Sequence, residues 1–320
     1  MKLINTIATA LLGAAISTGA VAQGYPNKPV RIIVAYPAGQ GTDVATRFFA
    51  EQLSKNLGQN FFVENRPGAG ANIGTAAAAR SEPDGYTLTM GTNATHGVNQ
   101  FLYPSVGFDP EKDFEPIILT GTFPMVIATS PTSGINSISE LLTTVKAKPK
   151  GADIALPSTT ARLVFEFLKD RSKAPLFGVP YKGSGAAMTE LMGGQVPLTI
   201  DTVTAVRPLA ESGKLKPIAV TSSKPSELLP GVKTVAEQGM PGFEVLAWNA
   251  LYAPKGTPPA IIKQLNVEMQ KIMAQPETRQ KLLSLGFEGG GGTPEQLAEF
   301  ARSERKKWGP IINAAGIKAE

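Results

Sequence analysis

Cysteine is absent from this chain, and histidine occurs once, at His96. Disulfides and thiolate chemistry are therefore excluded. A Ser-His-Asp unit or a multi-histidine metal site has little raw material. The patterns G-x-S-x-G, H-E-x-x-H and G-x-x-x-x-G-K-[ST] are also missing. Aromatic residues are only 7%, and the bases are scattered, so the basic, aromatic stripe of a nucleic-acid binder is not present. One short basic cluster, Arg302, Arg305, Lys306 and Lys307, is broken by Glu304 and reads as a solvated helix face. No catalytic residue, metal or cofactor is expected from this inventory.

What the chain does have begins with an address. Lys2, the apolar run Ile4 to Ile16 and Ala20-Val-Ala22 have the form of a secretory signal peptide over residues 1–22, with a mature start at Gln23. The run falls short of the roughly 20 residues of a spanning helix. A secreted chain without disulfides suits a bacterial periplasm. Removing Lys2, the only charged side chain in residues 1–22, lowers the formal charge from +5 to +4. A mildly basic protein suits an acidic small ligand.

The most informative stretch is Tyr36-Pro-Ala-Gly-Gln-Gly-Thr-Asp43. It lies between a strand pattern, Val30–Ala35, and a helix pattern, Val44–Leu57. Strand, glycine loop and helix form an anion site, because glycine permits close approach and the free N–H groups of a helix start face the ligand. A Cβ at Gly41 is expected to obstruct such an anion. Three more helix starts share this character: Arg66-Pro-Gly-Ala-Gly-Ala71, Ser158-Thr-Thr160 and Lys182-Gly-Ser-Gly185. Gly39-Gln-Gly41 lacks the third glycine of a dinucleotide fingerprint. His96 reads as a structural or surface residue rather than a ligand.

Further strands are expected at 61–64, 86–91, 114–120, 125–129, 154–157, 178–181, 198–201 and 218–221. Helices are expected at 73–80, 139–146, 161–171, 185–192, 259–274, 276–285 and 294–314. Gly289-Gly-Gly-Gly292 reads as a flexible turn. The β/α alternation restarts after about residue 124, which indicates two similar α/β lobes.

Several stretches carry a more specific resemblance. Tyr25-Pro-Asn-Lys-Pro-Val-Arg-Ile-Ile-Val34, Gly41-Thr-Asp43, Val63-Glu-Asn-Arg-Pro-Gly-Ala-Gly70, Pro83-Asp-Gly-Tyr-Thr-Leu88, Val179-Pro-Tyr-Lys-Gly183 and Ala253-Pro-Lys-Gly-Thr-Pro258 occur in order. They resemble the periplasmic solute-binding proteins of tripartite tricarboxylate transporters, the Bug receptors. The resemblance implies an α/β, type II periplasmic binding protein fold, a Venus flytrap of two lobes about a cleft with crossing hinge strands. The first lobe would hold 24–123 plus 247–320 and the second 124–246, with crossings at 123–129 and 243–252. It implies capture of a small carboxylate, with a dicarboxylate expected, aliphatic or aromatic such as terephthalate. A monomeric receptor would deliver it to membrane permease subunits.

Site residues carried over by motif are Ala38, Gly39, Gln40, Gly41 and Thr42 in the first-lobe loop, and Ser158, Thr159 and Thr160 in the second. Gly70, Ala71, Thr92, Asn93, Thr95, Lys182, Gly183 and Ser184 would flank them, with Asp201 at the floor. Two positions depart from the family pattern. Gln40 stands where a glycine is usual, and Arg162 stands at the position of a histidine. Arg162 would be a permanent cation able to pair with a second carboxylate. The rival reading, a secreted hydrolase of a carboxylic ester or amide with Ser158 or Ser184 as nucleophile, lacks a histidine base.

Overall fold

The computed structural model describes residues 24–148, 151–314 and 316–319. The expected signal peptide and its cleavage site lie outside these residues. In chain order the elements are β1 (Val30–Val34), α1 (Gly41–Leu57), β2 (Phe61–Asn65), α2 (Asn72–Ala79), β3 (Thr87–Thr92), α3 (Asn99–Leu102), β4 (Phe114–Thr129), α4 (Ile138–Lys146), β5 (Ala152–Leu156) and α5 (Thr159–Ser172). They continue with β6 (Leu176–Pro180), α6 (Ser184–Met192), β7 (Leu198–Thr202), α7 (Val203–Glu211), β8 (Lys216–Val220), β9 (Leu246–Pro254), α8 (Pro259–Ala274), α9 (Pro276–Ser284), β10 (Glu288–Gly291) and α10 (Pro294–Ala314). A π-helical turn, Asn93–Val98, follows β3.

The strands form two α/β lobes that share β4. In the first, β2, β1 and β3 run parallel, and β9 pairs antiparallel with both β3 and β4. In the second, β5 runs parallel to β6 and β7, while β7 and β8 pair antiparallel with the far end of β4. Parallel strands covered on both faces must be apolar nearly throughout. Ile32, Ile33 and Val34 of β1 are accordingly buried.

The expected strands 114–120 and 125–129 are one strand. Its partners change at Pro124: Pro124 faces Leu246 of β9, and Met125 faces Thr202 of β7. Proline cannot donate to a ladder, so it fits the seam where one set of partners ends. Thr221 ties the chain together there. Its Oγ1 accepts from Met125 N at 2.9 Å and donates to the Val245 carbonyl at 2.6 Å.

The glycine run is corrected from turn to strand. Gly289 pairs with Gly121 of β4, and a Cβ on Gly290 would lie 2.3 Å from the Leu119 carbonyl. Glycine is needed there for backbone-to-backbone approach, not for flexibility. Helix α7 was not expected, because Pro208 inside it masks the pattern. Helix α1 begins at Gly41, three residues before the expected Val44.

The basic cluster is only partly solvated. Arg305 is 11% exposed, donates to the His96 carbonyl at 3.0 Å and pairs with Glu111 at 2.7 Å. His96 is fully buried, which removes the surface alternative. It stacks on Tyr252 with centroids 4.0 Å apart, and burial, aided by Arg305, pushes its pKa down to about 3. A neutral, stacked imidazole is a core residue here. Among the described residues, no helix is long and apolar enough to cross a membrane.

Candidate ligand-binding cleft

The first-lobe loop is shaped by Asp43. Its carboxylate accepts from Gly39 N at 2.8 Å, Arg47 Nε at 3.0 Å and Asn65 Nδ2 at 2.8 Å. Burial alone would raise the pKa of Asp43, but these hydrogen bonds outweigh it and hold the group below the usual carboxylate range. Gly39 takes a left-handed φ of 84°, which lets the loop turn into α1. The first i→i−4 bond runs from Val44 N to the Gln40 carbonyl, so the N–H groups of Gly41, Thr42 and Asp43 have no partner within the helix.

The second lobe repeats this construction. Ser158 caps α5 by accepting from Ala161 N at 3.2 Å, which leaves the N–H groups of Thr159 and Thr160 at the helix mouth. Gly183, with φ 129°, turns the chain into α6 at Ser184. Residues from the starts of α1, α5 and α6 meet in one chamber between the lobes. Thr92, Asn93, Asp201 and Asn249 complete its polar wall.

Among the described residues, no lysine, arginine or histidine lines this chamber. An anion there would be held by neutral donors and three helix starts. The chamber offers about 60 Å³. The lobes touch across it: Asn93 Nδ2 donates to Thr160 Oγ1 at 3.0 Å, and Thr160 Oγ1 lies 3.2 Å from Asn93 Oδ1.

Asp201 is 1% exposed. Its Oδ1 accepts from Ser184 Oγ at 2.9 Å and from Thr202 N at 2.7 Å. Oδ2 has no partner among the described residues, and neither has Asn249 Nδ2. Burial pushes the Asp201 pKa up to about 7. Tyr36 is the other titratable side chain of the wall; burial raises it to about 12, so it stays neutral.

A larger cavity of about 810 Å³ adjoins the chamber and shares Tyr36, Gln40, Pro157, Ser158 and Thr159 with it. Its outer wall carries Tyr103, Phe165, Phe177 and Tyr181, with the cations Arg162, Lys169 and Lys182 and, among the described residues, the acid Glu166. Arg162 is 28% exposed and 3.9 Å from Glu166. Gln40 borders both spaces and a third cavity of about 390 Å³ between the Ala38 loop and the start of α6. Its side chain reaches the second lobe, where a Cβ on Gly183 would lie 2.9 Å from Nε2.

The residues expected from motifs are thus distributed. Gln40, Gly41, Thr42, Thr92, Asn93, Ser158, Thr159, Thr160, Ser184 and Asp201 line the chamber. Gly70, Ala71, Arg162, Lys182 and Gly183 line the larger cavity, and Ala38 and Gly39 the third. Thr95 is brought to none of them; its hydroxyl caps the turn after β3 and bonds His96 Nδ1 at 2.9 Å. A Cβ on Gly41 would point at Thr204 and Phe287 at ordinary contact distances of 3.5 and 3.8 Å.

Comparison with known proteins agrees with this architecture. Residues 45–317 match the family model of the tripartite tricarboxylate transporter family receptor. Protein BugT of Bordetella pertussis is 35% identical over 320 residues, covering 99% of this chain and 98% of its own. A Rhodopseudomonas palustris protein solved with adipate superposes with a TM-score of 0.88 at 32% identity, over 92% of this chain and 99% of its own. MatC from the same organism, with bound malate, gives a TM-score of 0.82 at 30% identity, over 90% and 100%. The chain belongs to the tripartite tricarboxylate transporter receptor family.

A receptor of this family is a binding protein and not an enzyme, and the hydrolase reading has no support. Residues of this receptor's chamber that the motifs did not point to include Phe123, Met125, Thr202, Ala247 and Asn249. One signal was available. Asn249 interrupts the apolar run Leu246-Ala-Trp-Asn-Ala-Leu-Tyr252, and a lone amide in a central strand must find a polar partner. The Asp43 contacts give a physical reason for the Gly41-Thr-Asp43 motif, since the aspartate folds the loop that exposes the helix start.

Proposed function

We propose that this receptor captures a small dicarboxylate in the periplasm and hands it to its permease partner. The observation that carries this reading is a chamber of three helix starts with no cation among the described residues, beside a cavity with three cations. One carboxylate would sit at Gly41, Thr42, Thr159 and Thr160. The chamber, about 60 Å³, is far smaller than the cavity beside it, about 810 Å³, so a ligand too long for the chamber must pass Gln40 into the cavity. There Arg162 would meet the second carboxylate in exchange for Glu166. Adipate and malate in the neighbours support a dicarboxylate class.

The lobes would divide as 24–123 plus 247–320 and 124–246, with β4 near Pro124 and the chain near Val245 as hinges. The N-terminal signal would direct export. Closure can be driven only by contacts better made in the closed state. A thermal-shift and calorimetric panel of mono- and dicarboxylates, sugars and amines tests the reading. A dicarboxylate should bind most tightly; stabilisation by sugars or amines with no response to any carboxylate would end it.

A further inference from the structure

The chamber holds a contradiction that neutral donors do not remove. Asp201 lines it, and one carboxylate oxygen has no partner. Among the described residues no cation lines the same wall. A ligand carboxylate entering beside an ionised Asp201 would place two negative charges in about 60 Å³. Like charges at such range do not both stay ionised; one takes up a proton.

We propose that Asp201 acts as a neutral acid that donates a hydrogen bond from Oδ2 to the carboxylate of the ligand, so that capture takes up a proton above neutral pH. This rests on the carboxylate reading. Ser184 and Thr202 fix Oδ1 as the acceptor edge, which leaves Oδ2 to carry the hydrogen. The unpartnered Asn249 Nδ2 supplies a second donor. The proton comes from solvent and stays on the aspartate, and no other covalent bond changes.

The charged groups on neighbouring elements are engaged elsewhere. On α1, Asp43 is held by Arg47 and Asn65. On α5, Arg162 lies in the outer cavity by Glu166. Lys182, before α6, lines the outer cavities. On α7, Arg207 donates to the Leu283 carbonyl at 3.0 Å. Asp201 is the only charged residue of β7, and its partner on β4 is Val126. Burial raises Asp201 to about 7 before any ligand enters, in the same direction.

The test is calorimetric titration of the full receptor with succinate, adipate and terephthalate from about pH 6 to 9, in buffers of different ionisation enthalpy. The probes are fully ionised over the upper part of this range, so any proton taken up goes to the protein. Uptake should be near zero at about pH 6 and approach one proton per ligand at about pH 8. Affinity should be flat below neutrality and fall up to about tenfold per pH unit above it. Asp201→Asn, which keeps the acceptor edge and presents a permanent donor, should bind with no pH dependence and more tightly than the parent at about pH 8.5.

Binding by the parent without proton uptake at about pH 8 would overturn the proposal, since an ionised Asp201 must then be satisfied by a water or a ligand donor. Loss of binding by a folded Asp201→Asn at every pH would overturn it for the same reason. Should the variant not fold, the buffer dependence of the parent still decides. No binding by any of the three acids at any pH would instead overturn the carboxylate reading itself.

Discussion

The chamber and the cavity beyond Gln40 share loops and differ in size and in the charges on their walls. The chamber offers about 60 Å³ and is walled by hydroxyls, amides and helix starts together with Phe123, Met125, Ala247 and the Asp201 carboxyl. The cavity offers about 810 Å³ and is walled by aromatic rings, with Arg162, Lys169 and Lys182 against Glu166. Neutral donors fixed by helix geometry recognise the shape of a carboxylate with little tolerance. Long cations on a half-exposed wall recognise charge at a variable distance. Under the proposed function, recognition would be split between the two spaces, one end of the ligand being specified closely and the other left adjustable.

The largest effect is expected at the chamber. Thr160→Val removes the hydroxyl that bridges to Asn93 and leaves a buried amide unpaired in the closed state. Such a loss costs about 1–3 kcal/mol, or roughly 5- to 150-fold in affinity. It should fall equally on monoacids and diacids, as read by calorimetry. Selective loss for diacids alone would show that the chamber does not hold the shared carboxylate.

Arg162→Gln should show the opposite pattern. A charge-assisted hydrogen bond is worth about 1.5–3 kcal/mol. Arg162 is part-exposed and already faces Glu166, so the lower end applies, about tenfold. The loss should appear for adipate and be absent for its monoacid analogue. A uniform loss would remove Arg162 from recognition.

The smallest effect belongs to the partition between the two spaces. Gln40→Gly keeps an acceptable residue at the start of α1 and removes the side chain between chamber and cavity. Rigid terephthalate should gain on flexible adipate by about threefold, roughly 0.7 kcal/mol. An unchanged ratio in competition titrations would mean that Gln40 is not a barrier.

These differences also mark where the sequence was readable. Local chemistry was legible: glycine and hydroxyl residues at strand-to-helix turns pointed to anion sites, and most of them meet in one chamber. Periodicity placed α8 and α10 at the observed bounds. Long-range partnership was not legible. The identity of β4 as one strand depends on a change of neighbours at Pro124, and β10 depends on a close backbone approach at Gly290. Asn249 reaches the chamber from a strand 207 residues along the chain from its partner Thr42. Arg305 looked solvated in a charged run, yet its partners Glu111 and His96 lie about 200 residues away in the chain.

The most direct test of this division of labour is a crystal structure of the receptor with the tightest-binding linear diacid of the panel. One carboxylate should lie within hydrogen-bonding distance of backbone N–H groups of Gly41 or Thr42 and of Thr159 or Thr160. The chain should pass Gln40, and the second carboxylate should face Arg162. A ligand lying wholly in the outer cavity, with the chamber holding only water, would contradict the account.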